Sequence, residues 1–226
     1  MSSDTAKTGR PWLRAVAGGK NPHSEDPAAA RIQGTSDEEL IDAVVRGDDR
    51  VAGLLYDRTV GVVDRTLFRI FGRREADHDD LVQSTFEQIV ITLCRGRFAR
   101  ACSLNTWAAT VATHVGLNAL RSRRRERRVV DHGQNLDTLD APRSASGEEA
   151  VGARLELERL RRHLSAMDPA KAETLFLHDA LGHDLAEIAV LTGVSVAAAQ
   201  SRLVRARKDL TLRFERERSL QEGGQR

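Results

Sequence analysis

The chain has 226 residues, with 35 Lys and Arg against 33 Asp and Glu, and is 40% hydrophobic but only 4% aromatic. That length closes one or two modest cores, and an apolar set dominated by Leu, Val and Ala favours aliphatic helix faces over aromatic-rich sheets, so an all-α protein of two small helical domains is expected. Two cysteines, Cys94 and Cys102, exclude a disulfide scaffold and a CxxC pair, and no apolar run has signal-peptide or membrane-span length. A cytoplasmic protein without membrane insertion is the expectation.

Residues 1–35 hold Pro11, Pro22 and Pro27 without sustained periodicity, which predicts a disordered tail. Order is expected from Ser36, whose hydroxyl and the Glu39 carboxylate have capping-box spacing ahead of a helix with Leu40, Ile41, Val44 and Val45. After Gly47-Asp48-Asp49, the positions Val51, Leu54, Leu55, Val62, Val63, Leu67, Ile70 and Phe71 predict a long amphipathic helix ending at Gly72. A third helix from near Asp77 buries Leu81, Val82, Thr85, Phe86, Ile89 and Val90. Arg95 to Ser103 reads as a basic loop. Ser103 or Asn105 then caps a fourth helix with Leu104, Trp107, Ala108, Val111 and Val115 inward.

Nine arginines stand between Arg95 and Arg128 against the single acid Glu126. Such a block predicts a polyanionic partner, its other reading being a solvated helix end.

Residues 129–153 turn polar and acidic and predict a linker between domains at 36–128 and 154–213, with 214–226 as a C-terminal tail. The second domain opens with a helix carrying Leu157, Leu160 and Leu164. Asp168-Pro169 pairs an N-cap with a proline at the first helical position, Ala172, Leu175 and Phe176 face inward, and Gly182 ends that helix. Asp184 then caps a short helix to Thr192. Gly193-Val194-Ser195 makes a tight turn, and Ser195 caps a helix striped by Val196, Ala199, Leu203, Ala206 and Leu210. A small Ala189 at the crossing, a glycine at the turn and Val194 as a plug are what a helix-turn-helix requires.

The outward face of that last helix carries Ala197, Ala198, Gln200, Ser201, Arg202 and Arg205, followed by Arg207 and Lys208. In a major groove, glutamine pairs with adenine and arginine with guanine, and the later cations meet phosphates. His178, Asp179, His183 and Asp184 have spacings that suit a metal, but they bracket the junction at Gly182 and supply the next cap, so structural roles are expected and no metal or cofactor.

The stretch DLAEIAVLTGVSVAAAQSRLVRARKDL from Asp184 to Leu210 resembles region 4.2 of extracytoplasmic-function (ECF) sigma factors, members of the sigma-70 family, and Leu160 to Gly182 is similar to region 4.1. Asp79-Asp80-Leu81-Val82-Gln83 with Thr85-Phe86 is similar to region 2.2, and Asn105-Thr106-Trp107 with the helix ending in Arg121 to Arg128 resembles regions 2.3 and 2.4. The resemblance covers about residues 36–128 and 155–213.

It implies a non-enzymatic specificity subunit that binds core RNA polymerase and directs initiation at promoters, catalysis belonging to the core enzyme. Gln200, Ser201, Arg202, Arg205, Arg207 and Lys208 are then expected on the minus-35 duplex. Gln200 stands where family members commonly have a basic residue. Arg97, Phe98, Arg100, Asn105, Trp107, Arg121, Arg124 and Arg125 are expected at the minus-10 element, where the loop Arg97 to Leu104 would cradle a flipped base. Trp107 has a core role as its other reading, and alanines at 108 and 109 replace larger residues common there. Asp79, Asp80 and Gln83 would dock on the β′ clamp coiled coil, their alternative being helix caps, and the β flap and an anti-sigma factor are the further partners implied. The linker would thread toward the active-site channel or act as a passive tether. A helix-turn-helix regulator that never joins polymerase is the competing reading, and it leaves the first domain without a task.

Overall fold

A computed structural model of the chain describes residues 35–131 and 148–223. The expected N-terminal tail up to residue 34, the middle of the linker and residues 224–226 lie outside the described residues. The described elements are helices: α1 (Asp37–Arg46), α2 (Ala52–Phe71), α3 (His78–Cys94), α4 (Leu104–Asp131), α5 (Glu148–Ala166), α6 (Pro169–Leu175), α7 (Leu185–Thr192) and α8 (Val196–Gly223). A 3-10 turn (Asp49–Val51) precedes α2, and a π turn (Phe176–Ala180) follows α6. Contacts divide the chain into two compact units, with the cuts after Arg65, Ala76 and Val111.

The first unit holds α1, most of α2, α3 and the start of α4. Its first helix begins as the sequence predicts: the Glu39 amide donates to Ser36 Oγ at 3.2 Å, and the Ser36 amide donates to the Glu39 carboxylate at 3.0 Å. Leu40, Ile41 and Val44 are buried, but Val45 is 48% exposed. A helix turns 100° per residue, so Val45 rotates off the face that Leu40 and Val44 share. Thr59 and Thr85 are buried at 1% and 0% exposure, and each donates its hydroxyl to the carbonyl four residues back at 2.8 Å, so neither hydroxyl is left unpaired. His78 is buried as well, with Nε2 2.8 Å from Asp64 Oδ1.

The second unit holds the end of α2, the rest of α4 and α5 to α8. A Cβ at Gly116 would stand 2.6 Å from Ile70 Cδ1 and 3.2 Å from Leu67 Cδ2, so glycine lets α4 close on the last turns of α2. Gly72 ends α2 at φ +69°, and the Arg161 guanidinium lies where a Cβ would go while its Nε donates to the Ile70 carbonyl at 2.8 Å. Asp168 caps α6, accepting from the Lys171 amide at 3.1 Å with Pro169 in the first turn. Leu177, Ile188, Ala189 and Ala199 form a core onto which Leu181, Leu185 and Val194 pack. Leu157 is 46% exposed and Val196 48%. The cover over α5 reaches its C-terminal end, where Leu164 and Met167 are buried, and Val196 is the first residue of α8, a turn ahead of buried Ala199. Helix α8 continues through residues expected to form a tail: the Phe214 ring meets His163 edge-on at 4.6 Å, and Glu217 accepts from Arg162 at 3.0 Å.

Candidate nucleic-acid interface

The turn between α7 and α8 is built by local chemistry. The Glu187 amide donates to Asp184 Oδ1 at 2.8 Å, and the Glu187 carboxylate accepts from the Asp184 amide at 3.1 Å, which closes a capping box. Gly193 takes φ +67°, a conformation costly for any residue with a Cβ, and the Val194 amide then reaches the Ala189 carbonyl at 2.9 Å. Ser195 Oγ accepts from the Ala198 amide at 3.2 Å and starts α8. The chain turns 104° between the two helices, within the range of DNA-binding helix-turn-helix units.

Burial of Ala199, Leu203 and Ala206 fixes the rotation of α8 and leaves Ala197, Gln200, Ser201, Val204, Arg205 and Lys208 exposed, with Arg202 half-buried. Arg205 donates from Nε to the Ser201 carbonyl at 3.0 Å. Val204, 60% exposed, is offset from the buried stripe of Ala199, Leu203 and Ala206 and adds an apolar side chain to the outward face. An apolar side chain there suits a thymine methyl group.

Arg207 is placed differently. Its Nε donates to Asp179 Oδ2 at 3.2 Å, and its guanidinium reaches His178 Nδ1 at 3.2 Å, so it fastens α8 to the π turn. The Arg207 hydrogen bond holds the Asp179 carboxyl below the usual carboxylate range. His183 Nδ1 lies 3.3 Å from Glu187 Oε2, and with Asp184 serving as a cap all four residues of this cluster have structural partners.

The basic loop lies in the first unit. Gly96 at φ +63° ends α3, with the Arg97 amide donating to the Thr92 carbonyl at 3.1 Å. Phe98 packs on Trp107 with ring centroids 4.7 Å apart. Trp107 is only 8% exposed, so it belongs to the core and Phe98 is the more accessible ring. Ser103 caps α4, accepting from the Thr106 amide at 3.1 Å, and Asn105 is exposed in the first turn.

The arginine run divides. Arg121 donates to the Pro169 carbonyl and Arg124 to the Ser165 carbonyl, each at 3.5 Å, and burial lowers the pKa of both. Arg123 lies 4.5 Å over the Phe71 ring, whereas Arg125, Arg127 and Arg128 are exposed. On α3, Asp79 and Asp80 are exposed in the first turn and Gln83 donates to Glu87 at 3.1 Å. Neither Asp79 nor Asp80 is the N-cap; Asp77 holds that position without a side-chain cap bond.

Residues 55–126 match the family model of sigma-70 region 2, and residues 157–210 match that of sigma-70, region 4. The chain is 31% identical to RNA polymerase sigma factor NccH of Alcaligenes xylosoxydans xylosoxydans, over 77% of this chain and 92% of that protein. It is 31% identical to RNA polymerase sigma factor CnrH of Cupriavidus metallidurans, over 78% and 93%. ECF RNA polymerase sigma factor SigC of Mycobacterium tuberculosis is 25% identical over 77% and 91%. Among solved structures, that of CnrH in complex with the cytosolic domain of CnrY aligns with a TM-score of 0.46 and 24% identity over 80% of this chain and 98% of that one.

Proposed function

The chain belongs to the ECF group of the sigma-70 family of RNA polymerase sigma factors, and from that premise we propose which of its surfaces do the work. As a sigma factor it binds RNA polymerase and recognises promoter DNA, and it is a specificity subunit without catalysis of its own.

Residues 154–213 take the minus-35 duplex. The observation that carries this is the capped 104° turn that leaves Gln200, Ser201, Val204 and Arg205 outward on one face of α8. Arg202, half-buried beside them, and Lys208 complete the face, with Lys208 toward the phosphates. Arg207 acts through Asp179 and not on DNA. Residues 36–128 take the minus-10 element. Loop 97–104 receives an unstacked base against Phe98, flanked by Arg97, Arg100 and Asn105, while Trp107 backs Phe98 from the core. Unstacking costs a few kcal/mol, which a positively charged pocket with an aromatic platform offsets. Arg125 meets phosphates directly. Arg121 and Arg124 join it by exchanging one long carbonyl hydrogen bond each for a charge-assisted one.

Asp79, Asp80 and Gln83 present an acidic patch to the β′ clamp coiled coil, and the second domain meets the β flap. An anti-sigma factor is a further partner by family resemblance. The site of action is the cytoplasm, where core polymerase works; no single helix among the described residues is long and apolar enough to cross a membrane.

The test is transcription in vitro with purified core polymerase over a randomised promoter library, comparing wild type with Arg202→Ala. Promoter-specific initiation that falls sharply in the variant is expected. No initiation by a folded chain, or an unchanged minus-35 preference in the variant, refutes the assignment.

A further inference from the structure

Arg100 is the only non-glycine residue among the described residues with a positive φ, at +55°. An arginine gains nothing by itself in the left-handed region, because its Cβ crowds the following carbonyl. Loop 97–104 therefore contains a backbone conformation that the loop sequence does not favour, and some contact from outside must hold it.

Two carboxylates of α1 reach the loop. Near its middle, the Arg100 guanidinium donates to the Asp42 carboxylate, 58 residues away in sequence. At its exit, the Leu104 amide donates to Asp37 Oδ2 at 3.0 Å, while Asp37 Oδ1 accepts from Arg58 at 2.9 Å. Asp37 is thus a second cap on α4, supplied by another helix and anchored to α2. Helix α1 is itself rigidly seated, with a capping box at its start and Leu40, Ile41 and Val44 buried. Asp42 sits on this platform with 49% of its side chain exposed and the Arg100 guanidinium against its carboxylate.

We propose that Asp42 is a positioning residue for minus-10 recognition, holding Arg100 in its left-handed conformation and so fixing how loop 97–104 presents Phe98 and its cations to a single-stranded base. The proposal rests on the minus-10 reading of this loop given above. Asp42 touches no DNA. It sets the shape of the loop before the promoter arrives, so that binding need not spend free energy on ordering it. Exposed ion pairs add little to global stability, which makes shape and not stability the quantity to measure.

The test reads the loop directly, through Trp107, against which Phe98 packs. In a chain carrying Trp12→Phe, Trp107 is the sole tryptophan. Asp42→Ala is expected to raise quenching of Trp107 by acrylamide, a neutral quencher blind to the lost charge, about twofold while the thermal midpoint stays within a few degrees. Arg100→Gly removes the guanidinium that Asp42 holds and leaves a backbone that adopts a positive φ without help, so in that background Asp42→Ala is expected to change the quenching no further. On a promoter with core polymerase, Asp42→Ala should lower open-complex formation at least fivefold and leave binding of an isolated minus-35 duplex unchanged. Unchanged quenching in Asp42→Ala, or an equal increase in the Arg100→Gly background, overturns the proposal. Should the quenching behave as expected while wild type itself opens no promoter, the loop assignment fails and the tether stands, so the two failures are distinguishable. Asp42→Asn, which keeps the side-chain shape, covers the case in which alanine unfolds α1, and it must move quenching in the same direction.

Discussion

Arg207 of α8 donates from Nε to the carboxylate of Asp179, 28 residues earlier, at 3.2 Å. On a DNA-facing helix a cation is read first as a phosphate ligand, but this one is engaged by the protein and braces the recognition helix against the π turn. Arg207→Ala and Asp179→Ala should therefore each lower the thermal midpoint, and the double variant should lower it by less than the sum, because both remove one interaction. Affinity for a minus-35 duplex should fall less in Arg207→Ala than in Arg202→Ala. Additive midpoints, or the reverse order of affinities, would show Arg207 working on DNA.

The pair also fixes a sign in the pH dependence. The Arg207 hydrogen bond depresses the folded pKa of Asp179, so the stability it contributes is present above the unfolded value of about 3.9 and lost as pH falls through the lower folded value. Urea midpoints of wild type and Asp179→Asn should differ at about pH 5 and converge once the pH falls well below about 4. A gap that persists there undiminished contradicts the assignment.

Much of this architecture was legible because short polar residues at helix starts act locally: Ser36, Asp168, Asp184 and Ser195 all form the caps their spacing predicts. Gly193 likewise takes the positive φ that a tight turn demands. What the sequence hid depends on partners distant in the chain. Val45 and Leu157 are apolar and in helical register, yet exposed, because how far a buried stripe extends is set by the neighbouring helix. Arg207 and Asp42 look like surface charges until Asp179 and Arg100 are placed beside them. The residues after Arg213 carry many charges and a single aromatic, so nothing in their pattern announces the helix that Phe214 and Glu217 tie down.

Gly116 is another position with no sequence signal, since an isolated glycine inside a helical pattern simply weakens it. With Ile70 Cδ1 at 2.6 Å from a Cβ placed there, Gly116→Ala overpacks the contact between α4 and the end of α2. A loss of about 1–3 kcal/mol is expected despite alanine's better helix propensity, read as a lower urea midpoint at unchanged slope. Pairing it with Ile70→Val should recover part of the loss. If Gly116→Ala is stabilising, α4 does not approach α2 this closely.

The composition of the recognition face sets two opposite expectations. Val204→Ala removes two methyl groups from a thymine contact and should weaken binding to the preferred minus-35 duplex by about 1 kcal/mol, roughly fivefold, without altering its salt dependence. Gln200→Arg adds a cation where glutamine offers none; it should steepen the salt dependence by about one phosphate and shift preference toward guanine. Fluorescence anisotropy over a salt series separates the two. A salt slope that changes in Val204→Ala, or stays the same in Gln200→Arg, would mean that this face is not against the duplex.

The segment after Arg213 extends past the matched region 4, and its fastening makes it part of the recognition helix. Glu217 Oε2 lies 2.8 Å from His163 Nε2, Oε1 accepts from Arg162 at 3.0 Å, and the Phe214 ring covers the same histidine. Burial alone would raise the Glu217 pKa, but the His163 hydrogen bond and the charges of Arg162 and Arg159 outweigh it and hold the carboxyl below its ordinary value. These contacts clasp α8 to α5, and their loss frees the far end of a helix whose near end must lie accurately in the groove. Truncation after Arg213 should lower the thermal midpoint of the chain and weaken minus-35 binding several-fold, although no deleted residue lies on the DNA-facing turns. Glu217→Ala should reproduce most of both effects, whereas Leu220→Ala, at a position 77% exposed, should reproduce neither. If truncation weakens DNA binding while Glu217→Ala does not, the segment acts through its own charges, Arg216 and Arg218, and the clasp is incidental.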